Sequence, residues 1–171
     1  MFENKKILIT GGTGLIGSRL AERLFIEEKA IVRVMVHNWT KATWVSRLDV
    51  ELIQCDITNS KDVENAVQGC EIVFHCVGVG GSRSHAMKIN VEGTENVLNA
   101  CKKFNVERIV YLSSIVVHGE KIYNDLNEFA KTTQNFDNPQ TAKFRNILAK
   151  ATDPEKTFFE DAKTKTDEKI F

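Results

Sequence analysis

The stretch Lys6-Ile-Leu-Ile-Thr-Gly-Gly-Thr-Gly-Leu-Ile-Gly17 decides the fold. Ile7 to Ile9 is a short apolar run that reads as a buried strand. Gly11, Gly14 and Gly17 follow at the spacing G-x-x-G-x-x-G, with Thr13 inside the turn, and the chain becomes helical at Leu15 and Ile16. A turn this tight needs residues without a Cβ, and a pyrophosphate reaches the backbone only where no side chain blocks it. The helix that starts there aims its free N–H groups and the positive end of its dipole at such an anion. Strand, glycine turn and helix in this order predict a phosphate-binding crossover. The bland alternative is a glycine turn without a ligand.

Working outward, periodicity predicts strands over 6–10, 31–36, 50–55, 72–77 and 108–112, and helices over 15–27, 60–67 and 90–104. Leu15, Ile16, Leu20, Leu24 and Phe25 are expected on the buried side of the first helix. Strands that are apolar on both faces and alternate with helices call for a parallel sheet covered on both sides. Right-handed crossovers make it doubly wound, most simply in the order 3-2-1-4-5. The composition then changes. All 10 glycines lie at or before Gly119, while Pro139 and Pro154 lie after it. This divides the chain into a core over 1–119, a polar inserted region over 120–157 and a charged terminal helix over 158–171.

At 171 residues the length suits one domain with a real core. Lys plus Arg and Asp plus Glu both number 23, so no charge excess suggests a nucleic-acid partner. No apolar run approaches the roughly 20 residues of a membrane span. Residues 1–6 lead straight into the first strand and leave no room for a signal peptide, which implies a cytoplasmic protein. Cys55, Cys70, Cys76 and Cys101 show no metal-ligand spacing; Cys55, Cys76 and Cys101 sit inside apolar segments, so the cysteines read as reduced core thiols and no metal is expected.

Five motifs together resemble the extended short-chain dehydrogenase/reductase family, which includes nucleotide-sugar epimerases and dehydratases. Thr10-Gly-Gly-Thr-Gly-Leu-Ile-Gly17 is similar to the family's glycine motif. Cys55-Asp-Ile57 resembles the step after strand three where the family's Asp contacts adenine, and Val73-Phe-His-Cys-Val-Gly78 resembles its fourth strand end. Asn90-Val-Glu-Gly-Thr94 is similar to the start of the family's long helix, and Arg108-Ile-Val-Tyr-Leu-Ser-Ser-Ile-Val-Val-His-Gly119 to its fifth strand and serine pair. The resemblance implies a Rossmann-type three-layer αβα domain binding NAD(P) through Gly11, Thr13, Gly14, Leu15, Ile16, Gly17, Asp56, Ile57, Cys76, Val77, Gly78 and Asn90. Taken alone, Asp56 also reads as a helix cap, Asn90 as a plain N-cap and Ser114 as a turn serine.

The pattern departs from the family in three places. An NAD site places an acidic residue about 20 residues past the glycines, at the end of strand two. His37 stands there, with Lys41 and Arg47 beyond, so the reading leans to NADP through a cation facing a 2′-phosphate. The alternative for His37 is a solvated strand-end histidine. The family's Tyr-x-x-x-Lys pair is incomplete: Tyr111 lies in strand five, Tyr123 is followed by Asn127, and Asp161 precedes Lys165 where tyrosine is expected. A carboxylate is ionised at neutral pH and donates no proton easily. Finally, the stretch from Ser114 to Asp161 exceeds the family's usual spacing, and the sequence stops where the resemblance implies a last strand and a substrate-binding lobe.

The resemblance thus implies an epimerase, dehydratase or reductase acting on a hydroxy or keto small molecule such as a nucleotide sugar. Ser114 orients the substrate in this reading and Lys165 holds the nicotinamide ribose, with a homodimer formed through the helices over 90–104 and 160–171. The alternatives are a non-catalytic dinucleotide-binding module or a truncated gene product.

Overall fold

The computed structural model of the chain describes residues 2–113. Five strands form one parallel sheet: β1 (Lys6–Thr10), β2 (Ile31–Val36), β3 (Glu51–Gln54), β4 (Ile72–His75) and β5 (Arg108–Tyr111). Their order is β3-β2-β1-β4-β5, the doubly wound arrangement the sequence predicts. Between them run α1 (Leu15–Ile26), α2 (Ser60–Val67) and a longer helix in three consecutive parts. These parts are α3 (Arg83–Ala86), a π-helical turn (Met87–Glu92) and α4 (Gly93–Lys103).

Alternation along the strands builds two cores, one on each face of the sheet. Ile7 and Ile9 of β1 join Val32, Val34 and Val36 of β2 beneath Ala21 and Leu24 of α1. Leu8 and Met35 point the other way and meet Val63 and Val67 of α2 and Val97 and Cys101 of α4. Each such fully buried aliphatic side chain contributes roughly 1.5–3 kcal/mol of transfer free energy. Helices on both faces complete the three-layer Rossmann-type domain.

Several elements differ from the sequence reading. Leu15 is 86% exposed and Ile16 54%, although both were expected in the core. The glycine turn places the first turn of α1 at the carboxyl rim of the sheet, where Gly17 packs on Gly11 and Gly12. Gly17, Ala21 and Leu24 form the buried stripe instead. The long helix does not begin at Asn90: Ser82 caps it before Arg83, and Asn90 lies inside the π-helical turn. β5 is apolar in sequence but only half-buried, on one side, because it is an edge strand among the described residues. The inserted region over 120–157 and the terminal helix over 158–171 lie outside the described residues.

Arg33 is a charged residue buried in the middle of β2. Its Nη1 donates to the carbonyls of Ala66 and Gln68 at 2.7 and 2.9 Å, which closes the C-terminus of α2. A cation there also complements the negative end of the helix dipole. Its Nε lies 2.9 Å from Glu51 Oε2 on β3, and this pairing holds the Glu51 carboxyl below its usual range. Arg33→Met is expected to destabilise the fold by about 2 kcal/mol, chiefly through the two stranded carbonyls. The Glu51 side chain is 45% exposed and rehydrates, which limits the loss. A urea unfolding midpoint checks the value.

Cys55, Cys70 and Cys101 are buried free thiols as expected, whereas Cys76 is only half-buried because β4 ends at His75 and Cys76 follows it at the rim. Burial pushes the Cys55 and Cys101 thiols up to about 12, so neither supplies a thiolate near neutral pH.

Candidate dinucleotide-binding site

The β1–α1 turn is built by close approach. Gly11 has φ 66°, in the left-handed region, and Gly14 N–H donates to Gly11 O at 3.0 Å. A Cβ at Gly11 would lie 2.8 Å from the carbonyl carbon and oxygen of Cys76. A Cβ at Gly17 would lie 2.4 Å from Gly11 O. The turn, the first turn of α1 and the end of β4 therefore pack backbone against backbone. Thr13 sits within the turn, half-buried.

The start of α1 is also unlike that of α2. Asn59 caps α2 through its side chain, and Asp62 lies in the first turn. α1 has Gly14 as its cap, with no side-chain cap bond and no acidic residue in its first turn. Its leading N–H groups thus face the carboxyl edge without a side-chain acceptor from the cap. A glycine cradle joined to an open helix N-terminus fits a pyrophosphate.

Because the strands are parallel, the residues that follow them share that edge. His37 follows β2, Asp56 and Ile57 follow β3, and Cys76, Val77 and Gly78 follow β4. The strand order reverses between β1 and β4, which opens the crevice where ligands of such sheets bind. Asp56 Oδ1 accepts from Thr58 N at 2.9 Å and Thr58 Oγ1 at 2.8 Å. The Thr58 backbone bond is the main reason its carboxyl is held below the usual range, with smaller help from the charges of His37 and Lys88. Asp56 organises the turn before α2, while the helix cap itself is Asn59. Ile57 is buried against Gly93, and its carbonyl accepts from Asn96 Nδ2 at 3.0 Å. His37 is exposed, and its carbonyl accepts from Gln54 Nε2 at 3.0 Å. Asn90 reaches across to the loop after β4: its Oδ1 accepts from Val79 N at 2.9 Å and its Nδ2 donates to Val79 O at 2.8 Å. Ser114 and Lys165 lie outside the described residues.

One part of this edge escapes the sequence reading. His75 is fully buried between two threonines, with Nδ1 2.6 Å from Thr10 Oγ1 and Nε2 2.9 Å from Thr94 Oγ1. Burial pushes its pKa down to about 4, so it is neutral near physiological pH. A signal was present in the sequence, since a histidine inside a continuous apolar strand needs polar partners. Among the described residues no group of three or more His, Cys, Asp or Glu could hold a metal ion. No helix among them is long and apolar enough to cross a membrane.

Fold and motifs place the chain in the short-chain dehydrogenase/reductase class, on its epimerase/dehydratase side. The family model for the 3-beta hydroxysteroid dehydrogenase/isomerase family matches residues 8–150, and the chain belongs to that family. It is 34% identical over 117 residues to a 2-alkyl-3-oxoalkanoate reductase of Shewanella oneidensis, covering 66% of this chain and 30% of that enzyme. It is 30% identical over 141 residues to a 3-beta-hydroxysteroid dehydrogenase of Mycolicibacterium neoaurum, covering 75% of this chain and 38% of the relative. The chain thus spans about a third of the length of these curated relatives. Among solved structures, an ADP-L-glycero-D-manno-heptose-6-epimerase of Helicobacter pylori shares the fold with a TM-score of 0.71 at 22% identity, covering 89% of this chain and 52% of that one. A uronate dehydrogenase of Agrobacterium tumefaciens, solved as a mutant complexed with NAD, has a TM-score of 0.58 at 28% identity over 67% of this chain and 43% of its own.

Proposed function

We propose that this chain supplies the NAD(P)-binding part of an oxidoreductase of the epimerase, dehydratase or reductase type. The observation that carries the reading is the β1–α1 turn. Glycine contacts of 2.4–2.8 Å leave no room for a side chain, beside a helix start without a side-chain cap. Family membership and the NAD complex of the uronate dehydrogenase support the same ligand class. In this reading the pyrophosphate lies on Gly11, Thr13, Gly14 and Gly17, with the adenine towards Asp56 and Ile57 and the nicotinamide half along Cys76, Val77 and Gly78. Leu15 and Ile16, exposed at the rim, gain a cover when the ligand binds. When bound, the dinucleotide supplies hydride transfer; the described residues bind and orient it. Ser114 and Lys165 remain proposed substrate and ribose contacts.

The substrate class is a hydroxy or keto compound. The names of both curated relatives contain a hydroxy or oxo group that a dehydrogenase or reductase acts on. A sugar, as in the uronate dehydrogenase, is one form of that class.

The reading favours NADP over NAD. His37 replaces the carboxylate that would hold a free 2′-OH and would repel a 2′-phosphate. Lys41 and Arg47 follow, and the guanidinium group of Arg47 lies 5.8 Å from the Trp44 ring. Aromatic contact of this kind holds a guanidinium in place without neutralising it. Calorimetric titration of the chain with NADPH and NADH tests the choice. NADPH is expected to bind about tenfold more tightly, the worth of one charge-assisted contact. Tighter binding of NADH would reverse the assignment of His37, Lys41 and Arg47.

A further inference from the structure

A chain of hydrogen bonds crosses the base of the crevice, and its direction is fixed at every step. Thr94 Oγ1 donates its one proton to Asn90 O at 2.7 Å. Its oxygen must then accept from His75 Nε2, 2.9 Å away, so the imidazole proton sits on Nε2. Nδ1 is left as a bare acceptor and takes the hydroxyl proton of Thr10 across 2.6 Å. Thr10 Oγ1 in turn accepts from Cys76 N–H at 3.2 Å, a proton it shares with the Thr10 carbonyl at 3.2 Å. Thr10 and His75 are register partners on adjacent strands, which is why their side chains meet.

The two ends of this chain are the two walls of the crevice. Thr10 immediately precedes Gly11 and the glycine turn. At the other end Asn90 grips both backbone groups of Val79, in the loop that follows Gly78. The π-helical turn carries Asn90 between α3 and α4 at this point, and such turns recur at functional sites.

We propose that His75, neutral and protonated on Nε2, is a positioning residue that ties the glycine turn to the π-helical turn and the Val79 loop, holding the two sides of the dinucleotide crevice in register. The role rests on the dinucleotide reading given above. A purely structural histidine would satisfy the same buried groups, but loosening it would change stability and leave ligand affinity alone.

The experiment compares the intact chain with Thr94→Val and Thr94→Ser, using NADPH and NADH as probes. Long-range proton–nitrogen NMR of the wild type reads the tautomer directly, and a proton on Nδ1 would overturn the proposal without any variant. Thr94→Val keeps the shape and removes the hydroxyl. It is expected to weaken dinucleotide binding about tenfold, one hydrogen bond's net contribution, and to speed amide exchange at Val79. Thr94→Ser keeps the hydroxyl and is expected to retain both affinity and protection. A Thr94→Val chain that binds as tightly as wild type, or a Thr94→Ser chain as impaired as Thr94→Val, would overturn the positioning role alone. A folded wild type that binds neither dinucleotide would instead remove the reading of the site, and the role with it.

Discussion

Gly17→Ala is expected to lower stability by about 2 kcal/mol and dinucleotide affinity by about a hundredfold. Two effects oppose each other. Alanine is the better helix former by about 1 kcal/mol. Against this, its Cβ would stand 2.4 Å from Gly11 O and 2.8 Å from Gly12 Cα, both backbone atoms that no rotamer change can move aside. Overpacking of this kind costs about 3 kcal/mol, so the clash wins. Relief requires α1 to move away from the turn, and that displacement carries the helix N–H groups off the anion. Gly80→Ala is the matched control, because a Cβ there meets open space. It is expected to stay within about 0.5 kcal/mol of wild type. Urea unfolding and calorimetric titration of both variants supply the two numbers.

The second large effect is a loss of stability on mild acidification. Unfolded histidine titrates near 6.5, whereas His75 in the fold is pushed down to about 4 by burial. Between these values the unfolded chain binds the proton and the folded chain does not. The stabilisation is therefore complete above about pH 6.5 and falls away as pH drops towards 4, by about 3 kcal/mol in all. Glu51, Asp56 and Glu71 have carboxyls held low, and their contributions are lost only below their unfolded values of 4.5, 3.8 and 4.5. The window from about pH 6.5 to about pH 5 thus isolates His75 among the shifted groups. Urea midpoints across that window should slope steeply for wild type. His75→Leu should be less stable near neutrality, because the Thr10 hydroxyl loses its acceptor and Thr94 Oγ1 loses its donor, and should lose the slope; an unchanged slope would assign the acid sensitivity to another group.

Much of this architecture was legible because the signals were local. The run Ile7–Ile9 before three spaced glycines specifies strand, turn and helix together, and regular alternation then sets the sheet order. The errors arose where position relative to the sheet overrides periodicity. Leu15 and Ile16 carry a core pattern, yet the turn lifts them over the rim. Asn90 reads as a helix start because the preceding residues lack apolar periodicity, yet Ser82 opens the helix and a π-helical turn carries Asn90 inward to Val79. The pairing of Thr10, His75 and Thr94 joins residues 65 and 19 positions apart, and only strand register and helix packing bring them together. Ser114 and Lys165, taken from resemblance, fall outside the described residues.

The central claim is that a dinucleotide sits on the glycine turn. Amide hydrogen exchange of the intact chain, with and without saturating NADPH, tests it most directly. The account predicts slowed exchange at residues 11–18 and 76–79, the two walls of the crevice, with little change on the outer face of α1. Protection confined to other segments, or none at either wall when NADPH is bound, would contradict it.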